Sequence, residues 1–169
     1  MLSCVSGAVR PRRDSDARCR GQEAEFPEKF HELCRAAEEL RLQNDASGAL
    51  EVYAQARELC ESAGRLKSVE GALLLNNIGA AWWQCDDVTM ALEAYSEARS
   101  LRKQSGTLET SEGALLLNNI GAARWRYGDL DGAVEAYMEA RQVRERTRTL
   151  VTADGAMLLN NIGAARWQL

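Results

Sequence analysis

The 14-residue block Gly-Ala-Leu-Leu-Leu-Asn-Asn-Ile-Gly-Ala-Ala-Trp-Trp-Gln at residues 71–84 returns at 113–126 and again at 155–168, with twelve of fourteen positions matching in every pairwise comparison. The chain is therefore a tandem array with a period of 42 residues. A repeat of that size is one supersecondary unit that cannot bury its apolar face alone, so stacked copies share a continuous core. Function then belongs to the surface of the stack rather than to a single pocket.

Within one unit, residues 113–127 place Leu116, Leu117, Ile120, Ala123 and Tyr127 at helical spacing, which predicts a first helix, A. Gly128-Asp129 then supplies a C-terminal glycine and an N-cap aspartate, and helical periodicity resumes over residues 130–144 as helix B. Ahead of each helix A stand Ser68, Thr110 and Thr152, each followed two residues later by Glu70, Glu112 or Asp154, as an N-cap hydroxyl and a first-turn acid should be. Each unit is thus a helical hairpin roughly 22 Å tall at about 1.5 Å per residue. Mid-helix Gly79, Gly121 and Gly163 each cost about 1 kcal/mol against alanine. Close packing against Ala91 or Ala133 of helix B is the expected reason, with Tyr95 and Tyr137, Ala98 and Ala140 filling the space beside it.

Subtracting the period from Ala91, Tyr95, Ala98 and Arg99 gives Ala49, Tyr53, Ala56 and Arg57, so a divergent first unit is present, with Ala37 in place of the glycine. The expected organisation is a leader over 1–26 and an array over 27–169, with repeat 1 at about 29–70, repeat 2 at 71–112, repeat 3 at 113–154 and a partial repeat 4 at 155–169. The leader carries five arginines within residues 1–21 and no periodic apolar residues, and is expected to be disordered and dispensable for folding. Asp14, Asp16 and its poor amphipathicity argue against a transit peptide. Leu169 falls where the fourth turn and helix B should begin. The expectation is a fragment of a longer array, with Leu158, Leu159 and Ile162 half-covered and an open C-terminal helix through which copies can self-associate.

Charge and chemistry narrow the function classes. With 21 basic against 25 acidic residues there is no general attraction for phosphate backbones, which argues against nucleic acid. The Asn-Asn pairs cut the apolar runs well short of the roughly 18 residues a membrane span requires. Cys4, Cys19, Cys34, Cys60 and Cys85 form no C-x-x-C pair and no disulfide framework, which suits reduced thiols in the cytoplasm. His31 is the only histidine, and no phosphate loop, dinucleotide motif or nucleophile elbow occurs. An enzyme, a metal site and a cofactor are not expected.

Leu117-x2-Ile120-Gly121, Gly128-Asp129 and Ala133-x3-Tyr137-x2-Ala140 together resemble the tetratricopeptide repeat, over about residues 30–169. The 42-residue period with Arg-Glu-Arg-Thr at 144–147 and Leu-Asn-Asn-Ile at 159–162 is similar to the variety found in kinesin light chains and nephrocystin-type proteins. Leucine stands at that family's tryptophan position, Arg124 and Arg166 at its tyrosine position with Trp125 and Trp167 one residue later, and the linkers lack proline.

The resemblance implies an all-α solenoid, a right-handed superhelix whose concave face is lined by the A helices and binds a segment of another protein. The concave candidates it marks are Leu73, Leu115 and Met157; Asn76, Asn77, Asn118, Asn119, Asn160 and Asn161; Ala80, Ala122 and Ala164; Trp83, Trp125 and Trp167; and Gln84, Arg126 and Gln168. An asparagine amide offers both donor and acceptor, so a row of them can pair with the main chain of an extended peptide. Helices packed about 10 Å apart match about three residues of extended chain per repeat. The same amides can instead bridge neighbouring helices, and the tryptophans can serve packing before stacking. Arg57, Arg99, Arg141, Arg144 and Arg146 are expected on a solvated face of helix B with i, i+4 acids such as Glu145. Alternatives are a cargo adaptor of the kinesin light chain kind, which needs a heptad segment to join a motor chain, and a self-assembling structural module.

Overall fold

The protein is described by a computed structural model, with the backbone described over residues 15–169 and side chains from Phe26 onward. Its elements are α1 (Ser15–Leu42), α2 (Ala46–Ser62), α3 (Val69–Gln84), α4 (Val88–Gln104), α5 (Ser111–Tyr127), α6 (Leu130–Arg146) and α7 (Ala153–Gln168), with no strand among the described residues. Residues 1–14, and with them much of the expected leader, lie outside the described residues. α1 is helical from Ser15, inside the stretch assigned to that leader, and runs through Pro27.

The helix boundaries follow local rules. Ser68, Thr110 and Thr152 accept from the amides of Gly71, Gly113 and Gly155, and Asp45, Asp87 and Asp129 cap α2, α4 and α6 in the same way. The first glycine of each block has its own reason. A Cβ at Gly71, Gly113 or Gly155 would lie 1.9–2.0 Å from the carbonyl oxygen of Leu66, Leu108 or Leu150, so the linker can fold back onto the helix start only if no side chain is there. The turns repeat too: Asn44, Asp86 and Gly128 occupy left-handed backbone ahead of the helix B caps, and Gly64, Gly106 and Arg148 do so in the linkers.

Helices α1, α3, α5 and α7 are the A helices, and α2, α4 and α6 the B helices. Each A helix from α3 to α5 buries two faces. Ala72 and Leu75 of α3 meet Tyr95 and Ala98 of α4, the partner in the same hairpin, while Leu74 and Ala81 pack on Tyr53 and Ala56 of the preceding hairpin. Ala114 and Leu117 repeat the first contact, and Leu116, Ile120 and Ala123 the second. Among the described residues the backbones of successive A helices approach one another, whereas those of successive B helices stay farther apart, so the stack curves with its A helices on the inner side.

Three expectations are corrected. The nearest neighbour of the mid-helix glycines is not Ala91 or Ala133: a Cβ at Gly79 or Gly121 would first meet the Tyr95 or Tyr137 ring, at 2.5 Å. The glycine is a socket for a tyrosine. Leu158 and Ile162 are not half-covered, because α6 buries them; it is Leu159 that is exposed. Arg144 does not sit on a solvated face. It is 2% exposed, like its counterpart Arg102 at 4%, and both occupy the position that Cys60 fills in repeat 1.

Candidate functional site

The inner face is a stripe along each A helix whose positions recur at i, i+3 or i+4, i+7 and i+10, the spacing of a single helical face. Leu73, Leu115 and Met157 begin it, partly exposed, and Ala80, Ala122 and Ala164 lie midway. Between these lie the asparagine pairs. Asn119 Nδ2 donates to Asn76 Oδ1 at 3.1 Å, and Asn161 Nδ2 donates to Asn118 Oδ1 at 3.0 Å. Both bonds run diagonally from the second asparagine of one A helix to the first asparagine of the A helix before it. Asn76 Nδ2 also makes a long contact, 3.4 Å, to Asn77 Oδ1 of its own helix. Asn118 is buried, Asn77, Asn119 and Asn161 are half-buried, and Asn160 is exposed.

A second row lies where the A helices end. Arg126 stacks its guanidinium 5.1 Å from the Trp83 ring centroid and pairs with Asp86. Gln168 Oε1 accepts from Trp125 Nε1 at 2.5 Å, and Gln84 Nε2 donates to the Arg41 carbonyl and to Asn44 Oδ1. Each of Gln84, Arg126 and Gln168 thus reaches back to the preceding A helix, so this row clamps repeat to repeat as the asparagines do. Trp83 is half-buried, Trp125 is 37% exposed and Trp167 is 86% exposed.

Repeat 1 carries different chemistry in the same register, which the period makes readable although the tandem motif does not. Cys34 and Arg35 stand at the asparagine positions, Glu38 at the alanine and Arg41 at the tryptophan position. Arg41 grips Glu38 with two hydrogen bonds, Nε at 2.8 Å and Nη2 at 2.6 Å, and Tyr53 Oη adds a longer one at 3.4 Å. The bond from Arg41 holds the Glu38 carboxyl below the usual carboxylate range. Burial pushes the Cys34 thiol up to about 11, so this sulfur stays protonated.

The arginines of helix B divide by position. Arg57 and Arg141 pair with Glu61 and Glu145 four residues on, as the pattern implies, whereas Arg99 reaches Glu139 on the next B helix at 2.6 Å. Arg146 pairs with Glu109 in the preceding linker. Arg102 donates to the Thr107 carbonyl, tying the end of α4 to the linker after it, and Arg144 donates to Asp154, tying the end of α6 to the first turn of α7. No group of three or more histidine, cysteine, aspartate or glutamate side chains suited to a metal ion occurs among the described residues. No helix among them is long and apolar enough to cross a membrane.

This arrangement of stacked hairpins is found in several solved structures. A putative kinesin light chain from Podosopora anserina with nearly identical TPR-like repeats superposes with a TM-score of 0.74 at 13% identity, covering 82% of this chain and 66% of that one. BtubC (BKLC) from P. vanneervenii gives 0.71 at 18% identity over 90% and 67%. The Sgt2 TPR domain from Aspergillus fumigatus gives 0.64 at 17% identity over 82% and 78%. The fold is an all-α solenoid of the TPR-like class. The chain spans about two thirds of the length of the first two of these structures. No protein-family model matches it, and no curated protein does.

Proposed function

We propose that the chain is a non-catalytic protein-interaction scaffold that binds an extended segment of a partner protein along the inner face of its A helices. The observation that carries this reading is the diagonal geometry of the amide bridges. In each bridge the lower asparagine accepts and the upper one donates, so Asn118 keeps its Nδ2 donor and Asn119 and Asn161 keep their Oδ1 acceptors without a partner among the described residues. Asn76 commits its own donor only through the long contact to Asn77. The bridges therefore fix each amide's orientation and leave the Asn118 donor and the Asn119 and Asn161 acceptors uncommitted, and a donor and an acceptor are what an extended main chain requires. Structural and binding roles coexist in one row.

A cargo adaptor of the kinesin light chain kind is a narrower version of this reading and uses the same face. End-to-end self-assembly is opposed by α1. Where Leu74, Leu116 and Leu158, and Ala81, Ala123 and Ala165, are buried against a preceding hairpin, α1 exposes Glu32 and Glu39. Stacking another copy there would bury two carboxylates, which is unfavourable unless that copy supplies cations to pair with them.

The test is selection of binders from a displayed random peptide library on the 169-residue chain, followed by titration of a selected peptide. Asn160→Ala removes an amide that bridges nothing, and Asn76→Ala with Asn118→Ala removes two acceptors of the row. Both should weaken binding, the double change by roughly ten-fold or more at about 0.5–1.5 kcal/mol per amide. Arg99→Ala with Arg141→Ala on the outer side should matter less. Equal affinity for the wild type and both asparagine variants would return the row to a purely structural role.

A further inference from the structure

The near-identity of the repeats constrains the shape of whatever lies along the inner face. The blocks at 71–84, 113–126 and 155–168 match at twelve of fourteen positions in every pair, and α3, α5 and α7 carry them in the same register. The face therefore offers one set of contacts at each A helix, and A helices packed about 10 Å apart set the step between sets. A segment that meets every set alike must itself repeat at that step. A β-strand covers about three residues in this distance, but its side chains alternate, so three residues on it presents its opposite side. A polyproline II helix has no such mismatch: at about three residues per turn and about 3.1 Å per residue, it brings the same side round every 9.3 Å or so.

Charge and hydrogen bonding point the same way. From Leu73 to Trp83, and again from Leu115 to Trp125, the stripe holds leucine, asparagine, alanine and tryptophan and no ionisable side chain, and Arg126 at its lower edge is already paired with Asp86. A charged segment would lose water here without gaining a partner, whereas prolines bring neither a charge nor an N–H to satisfy. Every carbonyl of a polyproline II helix is free of internal hydrogen bonds, so one per turn is available to a donor such as Asn118 Nδ2, and tryptophans border the stripe as aromatic side chains do in other proline-rich recognition. The uncommitted acceptors Asn119 Oδ1 and Asn161 Oδ1 need an N–H in return, which proline cannot give. One residue in each turn is therefore not proline.

Repeat 1 breaks the track. Glu38 stands there at the position of Ala80 and Ala122, and Arg41 grips it with bonds of 2.8 and 2.6 Å, so the floor carries an ion pair where the later repeats have only a methyl group. Resting on the groove reading above, we infer that the partner segment is an uncharged polyproline II helix seated across α3, α5 and α7, with proline at two positions of each turn and an N–H-bearing residue at the third.

The probes are three fluorescein-labelled peptides of equal length, titrated into the full chain and followed by anisotropy: four Pro-Pro-Gln triplets, three Pro-Pro-Pro-Gln quartets and four Val-Thr-Gln triplets. The Pro-Pro-Gln peptide should bind saturably. The quartets, whose N–H groups fall out of step with the repeats, should bind at least about five-fold more weakly, and the strand-forming Val-Thr-Gln peptide at least about ten-fold more weakly. Ala122→Leu puts a bulky side chain on the floor of the track and should weaken the Pro-Pro-Gln peptide by at least about ten-fold, with helicity by circular dichroism unchanged; Ala80→Leu, one repeat earlier, should do the same. Equal or tighter binding of the quartets or of the Val-Thr-Gln peptide, still sensitive to Ala122→Leu, would overturn the polyproline inference and leave the groove reading standing. Binding of Pro-Pro-Gln that neither alanine variant weakens would overturn it too. No saturation by any of the three up to millimolar peptide would overturn it as well, and the groove reading would fall with it only if the displayed library also yielded no binder.

Discussion

Asn119 of α5 donates to Asn76 of α3 across 3.1 Å, joining two A helices that belong to different repeats. Asn161 and Asn118 repeat the bond at 3.0 Å between α7 and α5. The inner face is therefore cross-linked at equivalent points, which couples each repeat to its neighbour. Asn119→Ala with Asn161→Ala should lower stability by about 0.5–1.5 kcal/mol per bridge. Asn160→Ala should leave it within about 0.5 kcal/mol of wild type, the usual range for a surface change. Urea denaturation followed by circular dichroism measures both; an equal midpoint for all three proteins would show that the bridges carry no stability.

The tyrosine socket sets a sharper contrast between two identical substitutions. Gly121→Leu drives a side chain into the Tyr137 ring, only 2.5 Å from the new Cβ, and should cost about 1–3 kcal/mol. Gly163→Leu, in a block that matches at twelve of fourteen positions, should be neutral or stabilising, since a helix-interior glycine costs about 1 kcal/mol and nothing opposes its replacement. Thermal melts of the two variants should diverge. Similar melts would mean that the ring moves aside freely.

Most of the fold was legible because it is local. Periodicity, the hydroxyl caps at Ser68, Thr110 and Thr152 and the Gly128-Asp129 turn are read from neighbouring residues, and all appear where expected. What stayed hidden depends on register between helices. That Gly79 meets Tyr95 rather than Ala91 follows from how the hairpin is offset, which composition does not encode. The burial of Arg144 was signalled only by Cys60 at the equivalent place in repeat 1, a residue type that tolerates burial well. At the inner face, the residues were legible and their partners were not: two adjacent amides per helix suit a peptide or a neighbouring helix equally well, and the diagonal choice between them is set by helix-to-helix distance.

The linkers contain a strained position. Gly64 and Gly106 adopt φ of +66° and +69°, and Arg148, in the same place one period on, adopts +58°. A side chain in this region costs roughly 1–2 kcal/mol, and the Arg148 side chain is exposed and makes no hydrogen bond or ion pair among the described residues that would offset it; the backbone bond from its amide to the Glu145 carbonyl does not depend on the side chain. Arg148→Gly should therefore raise stability by about 0.5–1 kcal/mol, the glycine's greater unfolded-state entropy offsetting part of the relief. A lower denaturation midpoint would show that this linker gains more from its side chain than it loses in strain.

Alkaline pH should act through the tyrosine locks. Burial pushes the Tyr137 hydroxyl up to about 12, and it raises Tyr95 as well. An unfolded tyrosine titrates near about 10. The folded state thus holds these protons more tightly, so their contribution to stability is intact below about pH 10 and is lost as pH rises through about 12. Ionised rings cannot remain in sockets lined by Gly79, Gly121 and alanines, and the tyrosinate absorbance of these two rings, the part lost in the Tyr95→Phe, Tyr137→Phe variant, should appear together with loss of helicity. Neither hydroxyl has a hydrogen-bond partner among the described residues, so Tyr95→Phe with Tyr137→Phe should keep neutral-pH stability near wild type and move the alkaline midpoint upward. An unshifted midpoint in the double variant would remove the two tyrosines as its cause.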